Sequence, residues 1–295
     1  MRLATGPVTW GVDFADAPGN PPWTQVLDEI AASGLGALEL GPVGYLPEDP
    51  AVLRAALARR GLTAVGSFVF EALHDPARAD AIAAVARRAA ALVAAAGGDV
   101  LVIIDRPGPE RAATAGRSAA AQRLAPRRWA DLVGTTLRVA DVARAHGLRP
   151  VVHPHAGSFL EFEDELERLL ADTDLDLCLD TGHLAYAGVD PVSALARHAD
   201  RLGHVHLKDV DGAVLARGLG FWDAIAAGVF CPLGTGIVDV RGALGQLARQ
   251  GYDGWATIEQ DRAGGSGAPL ADLRRSLRAC GLAEEARWSA SASAS

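Results

Sequence analysis

Short apolar runs alternate with longer amphipathic segments along the whole chain. The runs have the composition of buried strands and span residues 8–14, 37–41, 63–69, 100–104, 150–153, 175–179, 202–207 and 255–258. Segments with apolar residues at helical spacing follow them at residues 22–33, 50–60, 76–96, 127–146, 161–170, 190–200, 238–250 and 269–280. Strands that are apolar on both faces and alternate with helices predict a parallel sheet.

Eight such units in roughly 280 residues predict a single α/β domain, a closed (β/α)8 TIM barrel over residues 1–284. The alternative is an open doubly wound sheet, but the Gly-x-Gly-x-x-Gly turn that would follow its first strand is absent from the sequence. Two long loops, residues 106–124 and 210–236, are expected to lie over the carboxyl ends of the strands. The Ser/Ala tail, residues 285–295, is predicted to be disordered.

The net charge and the cysteine content of the chain limit the classes of ligand and the cellular location that we expect. A net charge of −8 and a pI of about 5.5 argue against nucleic acid and favour a small neutral substrate. The three widely spaced cysteines form neither a zinc nor a disulfide pattern, so we expect a reducing, cytoplasmic location. Neither a signal peptide nor a membrane-spanning run of roughly 20 apolar residues is expected. A homo-oligomer is compatible with the sequence, which leaves the number of subunits open.

Metal-binding and proton-transferring groups stand where four consecutive predicted strands end. They are His153 and His155, then Asp180, then His204, His206 and Lys208, and finally Glu259. Lys208 is the single lysine among 28 basic residues. Because active sites of (β/α)8 barrels lie at the carboxyl ends of the strands, we expect these groups to form one site.

Carboxylates combined with imidazoles suit one divalent ion, Mn²⁺, Mg²⁺, Co²⁺ or Zn²⁺. Such an ion can polarise a substrate carbonyl and stabilise the enolate that forms when the neighbouring carbon loses its proton. Isomerisation, epimerisation and loss of a β-hydroxyl as water all proceed from that enolate. The ligand set alone does not choose among these three reactions.

Several polar and aromatic residues have both a structural and a functional interpretation. Asp180 either binds metal or caps the turn that follows it, and Glu39, inside an apolar strand, is either used in the site or held in an ion pair. Glu161 is a rim ligand, a substrate contact or a helix-start charge. Trp10 and two further tryptophans, Trp222 and Trp255, are candidates for the wall of a substrate pocket.

Six motifs resemble those of one enzyme family over about residues 8–262. They are Glu39-Leu40-Gly41-Pro42, Arg60-Gly61-Leu62-Thr63, His153-Pro154-His155, Asp180-Thr181-Gly182-His183, His204-Val205-His206-Leu207-Lys208-Asp209, and Gly251-Tyr252-Asp253-Gly254-Trp255 leading to Glu259-Gln260-Asp261. Together they resemble the xylose-isomerase-like superfamily of metal-dependent TIM barrels (sugar phosphate isomerase/epimerase family), and within it the inosose-dehydratase-like branch.

The resemblance implies a ligand set and roles for the other residues. Metal ligands would be His153, Asp180, His206 and Glu259, with His155 and Glu161 as alternatives to His153. Proton transfer would fall to Lys208 and His155, with Glu259 also in the catalytic group. Substrate hydroxyls would be held by Glu39, His183, Glu161 and Trp10.

The resemblance also favours one reaction, the loss of water from a keto-inositol. Many relatives end the fifth strand with Glu, one of the two carboxylates that ketose epimerases use as an acid–base pair, whereas this chain has His153 there. The rival enzyme is a sugar or sugar-phosphate isomerase/epimerase, whose phosphate would be bound by Arg111, Arg117, Arg123 or Arg217. A metal nuclease is disfavoured by the acidic charge. The rival outside the enzymes is a non-catalytic sugar-binding subunit.

Overall fold

The computed structural model describes residues 1–279 and Gly281. The predicted disordered tail at residues 285–295 and the last residues of the predicted barrel domain lie outside this range. The strands are β1 Arg2–Thr5, β2 Ala37–Glu39, β3 Thr63–Glu71, β4 Val100–Asp105, β5 Arg149–Val152, β6 Asp176–Asp180, β7 Leu202–Leu207, β8 Asp209–Val210, β9 Phe230–Cys231 and β10 Trp255–Ile258.

The helices surround these strands. They are α1 Trp23–Ser33, α2 Pro50–Ala58, α3 Ala79–Ala96, α4 Pro109–Ala113, α5 Pro126–Ala145, α6 Glu163–Asp172, α7 Thr181–Tyr186, α8 Pro191–Arg197, α9 Gly212–Leu215, α10 Phe221–Ala226, α11 Val240–Arg249 and α12 Pro269–Ala279. Three single-turn 3₁₀ helices cover Pro7–Trp10, Pro76–Arg78 and Ala199–Arg201.

Eight parallel strands close into a barrel in the order β1-β10-β7-β6-β5-β4-β3-β2. The predicted (β/α)8 TIM barrel is therefore confirmed. Alternation along β7 shows how the sequence sorts its residues, because Val205 and Leu207 pack outwards with the main apolar core whereas His204 and His206 contact Glu39 inside the barrel.

The predicted position of the first strand was wrong. β1 is Arg2–Thr5, which pairs with β10 from Arg2 opposite Trp255 to Thr5 opposite Ile258. The predicted strand at 8–14 begins instead as the buried 3₁₀ helix Pro7–Trp10. Its apolar residues are buried because this turn packs on the barrel, and period-2 burial alone does not distinguish such a turn from a strand.

Both long loops contain structure of their own. The loop at 106–124 includes α4, and the loop at 210–236 includes α9, α10 and the antiparallel pair β8–β9. The Asp209 carboxylate fastens the second loop, because it accepts hydrogen bonds from the backbone N–H groups of Gly234 (2.9 Å), Gly236 (2.9 Å) and Val238 (3.0 Å).

No helix within the described part of the chain has both the length and the apolar character that a membrane span requires.

Candidate active site

The carboxyl ends of the barrel strands surround a cavity of about 40 Å³. Its polar wall consists of Asp13, His153, His155, His206, Lys208, Glu259 and Asp261. Its apolar wall consists of Val8, Phe68, Phe70, Ile104, Phe221, Trp222 and Ile225. Phe221, Trp222 and Ile225 belong to α10, so the second long loop does cover the site as the sequence predicted.

Four of the predicted metal ligands converge on this cavity. The Nδ1 atom of His206 lies 3.1 Å from Oε2 of Glu259 and 3.8 Å from Oδ2 of Asp180. The Nε2 atom of His153 lies 3.6 Å from the same Asp180 oxygen. Parallel register explains the approach of Asp180 and His206, because these two residues are direct partners across β6 and β7.

Asp180 performs both of the functions that the sequence allowed. Its Oδ1 atom caps α7, accepting hydrogen bonds from the backbone N–H groups of Gly182 (2.7 Å) and His183 (3.0 Å). Its Oδ2 atom faces His153, His206 and Lys208. The cap therefore fixes the rotation of the carboxylate and keeps one oxygen directed at the cluster.

Glu39 lies below the cavity rather than in its wall. Its Oε1 atom accepts hydrogen bonds from Nε2 of His204 (2.8 Å), Nε2 of His206 (2.9 Å) and the hydroxyl of Thr257 (2.6 Å). Burial alone raises the pKa of Glu39, but the charge of His206 and the hydrogen bonds from both histidines lower it well below its usual range. The bond from Nε2 to this carboxylate turns the Nδ1 atom of His206 towards Asp180 and Glu259, where a bound cation would replace the Nδ1 proton.

The donor atoms of this cluster fit a divalent cation. Nδ1 of His206 and Oδ2 of Asp180 are both buried without a hydrogen-bond partner, and buried polar atoms without partners are costly. Burial lowers the pKa of His153 well below its usual range, so this imidazole is neutral and able to ligate. One imidazole pair and two carboxylates match the ligand preferences of Mn²⁺, Co²⁺ and Zn²⁺.

Lys208 is fully enclosed among carboxylates beside this cluster. Its Nζ atom lies 2.7 Å from Oδ1 of Asp261, 3.2 Å from Oδ2 of Asp180 and 3.2 Å from Oε2 of Glu259. Burial alone lowers the pKa of Lys208, but the three carboxylates outweigh burial and raise it well above its usual value. Lys208 is therefore an ammonium group.

The glycine of the Asp-Thr-Gly-His motif makes room for this lysine. A Cβ atom on Gly182 would lie 2.7 Å from Cβ and 2.8 Å from Cγ of Lys208. The neighbouring Thr181 hydroxyl donates to the carbonyl of Lys208 (2.7 Å) and accepts from its N–H (2.9 Å). The motif thus positions the backbone and the side chain of Lys208 together.

Two histidines flank the lysine, one in the cavity wall and one behind it. The Nδ1 atom of His155 lies 2.9 Å from the carbonyl oxygen of Ala156, and burial lowers the pKa of His155 to about 4. The neutral ring therefore donates from Nδ1 and leaves Nε2 free. His183 accepts from the N–H of Ala156 (3.1 Å) through Nδ1 and packs 4.1 Å from the His155 ring, measured between ring centroids.

Two predicted substrate-binding residues are not brought to the cavity. Trp10 donates from its indole nitrogen to Glu29 (2.7 Å), on the side of the barrel where α1 packs. The carboxylate of Glu161 is buried, accepts from the N–H of Gly116 (2.6 Å) and lies 3.3 Å from the guanidinium of Arg111. Both residues have structural partners that account for them, and the structure does not support a substrate contact for either.

Three loop arginines that the sequence offered to a phosphate are already bound. Arg111 forms a two-pronged contact with Glu165 (2.6 and 3.1 Å). Arg123 pairs with Asp164 (2.8 and 2.9 Å), and Arg117 donates to the carbonyl of Gly218 (2.6 Å). None of the three lines the cavity.

Sequence reasoning missed two carboxylates in the cavity wall. Asp261 was quoted only as part of a motif, although its position two residues after Glu259 places it on the same side of the chain. Asp13 lay in the segment predicted to be the first strand, residues 8–14, and nothing in that apolar pattern marked its side chain as functional. Burial, followed by the charges of Asp261 and Glu259, raises the pKa of Asp13 to about 8, with Lys208 acting in the opposite direction.

Known proteins of similar sequence and structure share this barrel. The sequence model of the xylose isomerase-like TIM barrel family matches residues 27–288. Inosose dehydratase of Geobacillus kaustophilus is 32% identical over 277 residues, covering 89% of this chain and 88% of that protein. The rhizopine catabolism protein MocC of Rhizobium meliloti is 30% identical over 277 residues, covering 92% of this chain and 84% of that protein.

A solved structure extends the likeness in fold. D-allulose 3-epimerase from Methylomonas sp. superimposes with a TM-score of 0.70 at 17% identity, covering 96% of this chain and 98% of that one. At this identity the match shows the fold alone. The resemblance stated from the motifs is confirmed, and the chain belongs to the xylose isomerase-like TIM barrel family.

Proposed function

We propose that this protein is a metal-dependent lyase that removes water from a cyclic keto-polyol, most closely a keto-inositol. The observation that carries the proposal is the set of groups around the cavity. A neutral imidazole, His155, and an ammonium, Lys208, flank a cluster able to hold a metal. Its curated relatives include inosose dehydratases that match along nearly their whole length.

The metal would be held by His153, Asp180, His206 and Glu259, with Mn²⁺ as the first candidate and Co²⁺, Mg²⁺ or Zn²⁺ as alternatives. When bound, the ion supplies Lewis acidity that polarises the ketone and stabilises the negative charge developing on its oxygen. Glu39 acts on this site from below, because it fixes the tautomer of His206.

Abstraction of the proton next to the ketone falls to His155. Its Nδ1–H is occupied by the carbonyl of Ala156, so the free Nε2 lone pair is the basic atom on the cavity side. Stacking against His183 and edge contact with Phe221 (5.1 Å between centroids) hold the ring in place. This imidazole is therefore a positioned base.

Protonation of the departing hydroxyl falls to Lys208. An ammonium in contact with three carboxylates holds its proton at the cavity wall, where a leaving hydroxyl can accept it. After that transfer the hydroxyl leaves as water, and the ring has gained a carbon–carbon double bond that tautomerises to a dione.

Two features favour elimination from an uncharged substrate. The fifth strand ends in His153, so the carboxylate pair used by ketose epimerases is incomplete. Of the four loop arginines, Arg111, Arg123 and Arg117 are bound to Glu165, Asp164 and a backbone carbonyl, and none of the four, Arg217 included, lines the cavity. Asp13 and Asp261 line the cavity and would accept hydrogen bonds from the remaining ring hydroxyls.

The proposal is tested by metal analysis of the purified protein, followed by incubation with scyllo-inosose in D₂O and observation by NMR. A dione product that forms only with metal supports the lyase. Deuterium incorporation next to the ketone without dehydration would reassign the protein as an isomerase or epimerase. No metal binding and no exchange after Mn²⁺ or Co²⁺ is added would replace catalysis with the role of a sugar-binding subunit.

A further inference from the structure

A second concave surface opens directly from the catalytic cavity. This groove has a volume of about 400 Å³ and shares Asp13, Phe68 and Phe70 with the cavity wall. Its remaining walls include Phe14, Val43, Val85 and Arg88. The two volumes therefore adjoin across Asp13, Phe68 and Phe70 and are treated together as one cleft.

The size of the two parts decides which of them holds the bulk of a ligand. The cavity of about 40 Å³ has room for only a few water molecules, so it can receive the reacting edge of a ring but not a whole substituted ring. Small-molecule sites usually occupy roughly 300–1,000 Å³. The cleft reaches that range only when the groove of about 400 Å³ is included.

The groove has a mixed polar and apolar lining, and its charged groups are paired or acidic. Glu71 binds Arg78 (2.8 Å), and Arg88 forms a two-pronged contact with Glu48 (2.6 and 2.9 Å). Asp16 adds negative charge at the rim. An anionic group such as a phosphate would meet this acidic rim with no unpaired cation among the lining residues, whereas an uncharged group meets no such penalty.

Aromatic rings form the passage between cavity and groove. Phe14 stacks on Phe70 with 5.7 Å between ring centroids, and Trp222 lies 6.3 Å from Phe14. Flat apolar rings beside a carboxylate suit the faces and hydroxyls of a sugar or polyol ring.

We propose that the groove is a second substrate subsite, which binds an uncharged O-linked substituent, such as a second sugar, on a keto-ring whose reacting edge enters the cavity. The inference rests on the proposed lyase function and specifies its substrate class. Asp13, at the junction, would accept a hydrogen bond from a hydroxyl next to the linkage.

The test compares scyllo-inosose with its mono-O-glucosyl derivatives as substrates of the metal-loaded protein. Val43→Trp fills the groove, and Val43→Phe is the smaller alternative should the larger residue impair folding. Val52→Trp is the matched control, because Val52 is exposed on α2 and lies outside the groove lining. Far-ultraviolet circular dichroism and melting temperature establish that each variant is folded.

We expect one glucosylated isomer to have a lower KM than inosose, and the Val43 variants to raise that KM by about tenfold or more. Turnover of inosose should fall by much less than turnover of the glucosylated isomer, because inosose has no substituent to place in the groove. If inosose is dehydrated but no glucosylated isomer is accepted, or if Val43 variants impair both substrates equally, the subsite is refuted and the lyase function stands. If neither substrate reacts, the lyase function fails and the subsite fails with it.

Discussion

Substitution of Glu39 tests most directly whether this residue orients His206 in the proposed metal site. The Glu39→Gln substitution keeps the shape of the side chain but removes the charge that accepts from His204, His206 and Thr257. Because all three bonds go to Oε1, the Gln oxygen can take that position, and the amide N–H₂ group then takes the place of Oε2, which is buried without a hydrogen-bond partner. Hydrogen bonds to charged groups contribute about 1.5–3 kcal/mol each, and a buried unsatisfied donor costs about 1–3 kcal/mol. We therefore expect the free energy of unfolding to fall by about 2–4 kcal/mol.

Metal affinity should fall independently of this loss of stability. Without the carboxylate, the proton of His206 is no longer fixed on Nε2, so its Nδ1 atom is a ligand for only part of the time. Loss of such a supporting partner typically weakens metal binding by about 10–100-fold, or roughly 1.4–2.7 kcal/mol.

The assay is Mn²⁺ titration by calorimetry, performed where denaturant curves show the variant to be folded. Thr257→Val is the matched control, because it removes one donor to Glu39 but leaves the bond to His206 in place. It should lower stability by about 1–2 kcal/mol and change metal affinity by less than about threefold. A folded Glu39→Gln protein that binds Mn²⁺ as tightly as the parent would refute the argument.

Four further substitutions test separate parts of the site. Asp180→Asn should abolish metal retention and turnover yet keep the fold, because Asn also caps helices; full activity with metal present in elemental analysis would remove Asp180 from the site. Lys208→Arg should retain metal but lower kcat by about 10²–10⁴-fold, because Arg does not give up its proton; an unchanged kcat would make Lys208 structural. Gly182→Ala should lower kcat in the same way by displacing Lys208, whereas Gly134→Ala, where nothing lies within 4 Å, should not. Burial raises the pKa of Glu161 from 4.5 to about 7, so between these pH values the folded protein holds a proton that the unfolded chain releases. The contribution of this proton to the free energy of unfolding is complete below pH 4.5 and is lost as the pH rises through 7, by up to about 3 kcal/mol. Glu161→Gln should flatten this decline in melting temperature, and an identical pH profile would contradict the assignment.

The architecture and the convergence of the ligands were predictable from the sequence. Parallel strands with apolar faces enforce a closed barrel, and a closed barrel brings residues at strand ends together whatever their separation in sequence. His153, Asp180, His206 and Glu259 converge for this reason.

The depth of each side chain was not predictable in the same way. Glu39 was expected to hold substrate but lies under His206, because its short strand ends deeper in the barrel and three donors compete for its oxygen. Trp10 was expected in the pocket but packs towards α1, since the segment that carries it is a turn rather than a strand. Asp13 was missed for the same reason. These errors all concern the direction of a side chain, which depends on neighbours distant in sequence.

The hydrogen bonds around Asp209 have a consequence for how this enzyme can change over evolution. A single carboxylate, placed one residue after Lys208, ties down the returning end of the segment that carries α10 and the apolar roof of the cavity. The residues between Asp209 and Gly234 can therefore vary in length and composition without disturbing the strand ends. Substrate selectivity can then change through this segment alone, while the groups proposed for proton transfer stay at the ends of the barrel strands. Transplanting residues 211–235 from a relative should therefore transfer selectivity as one unit.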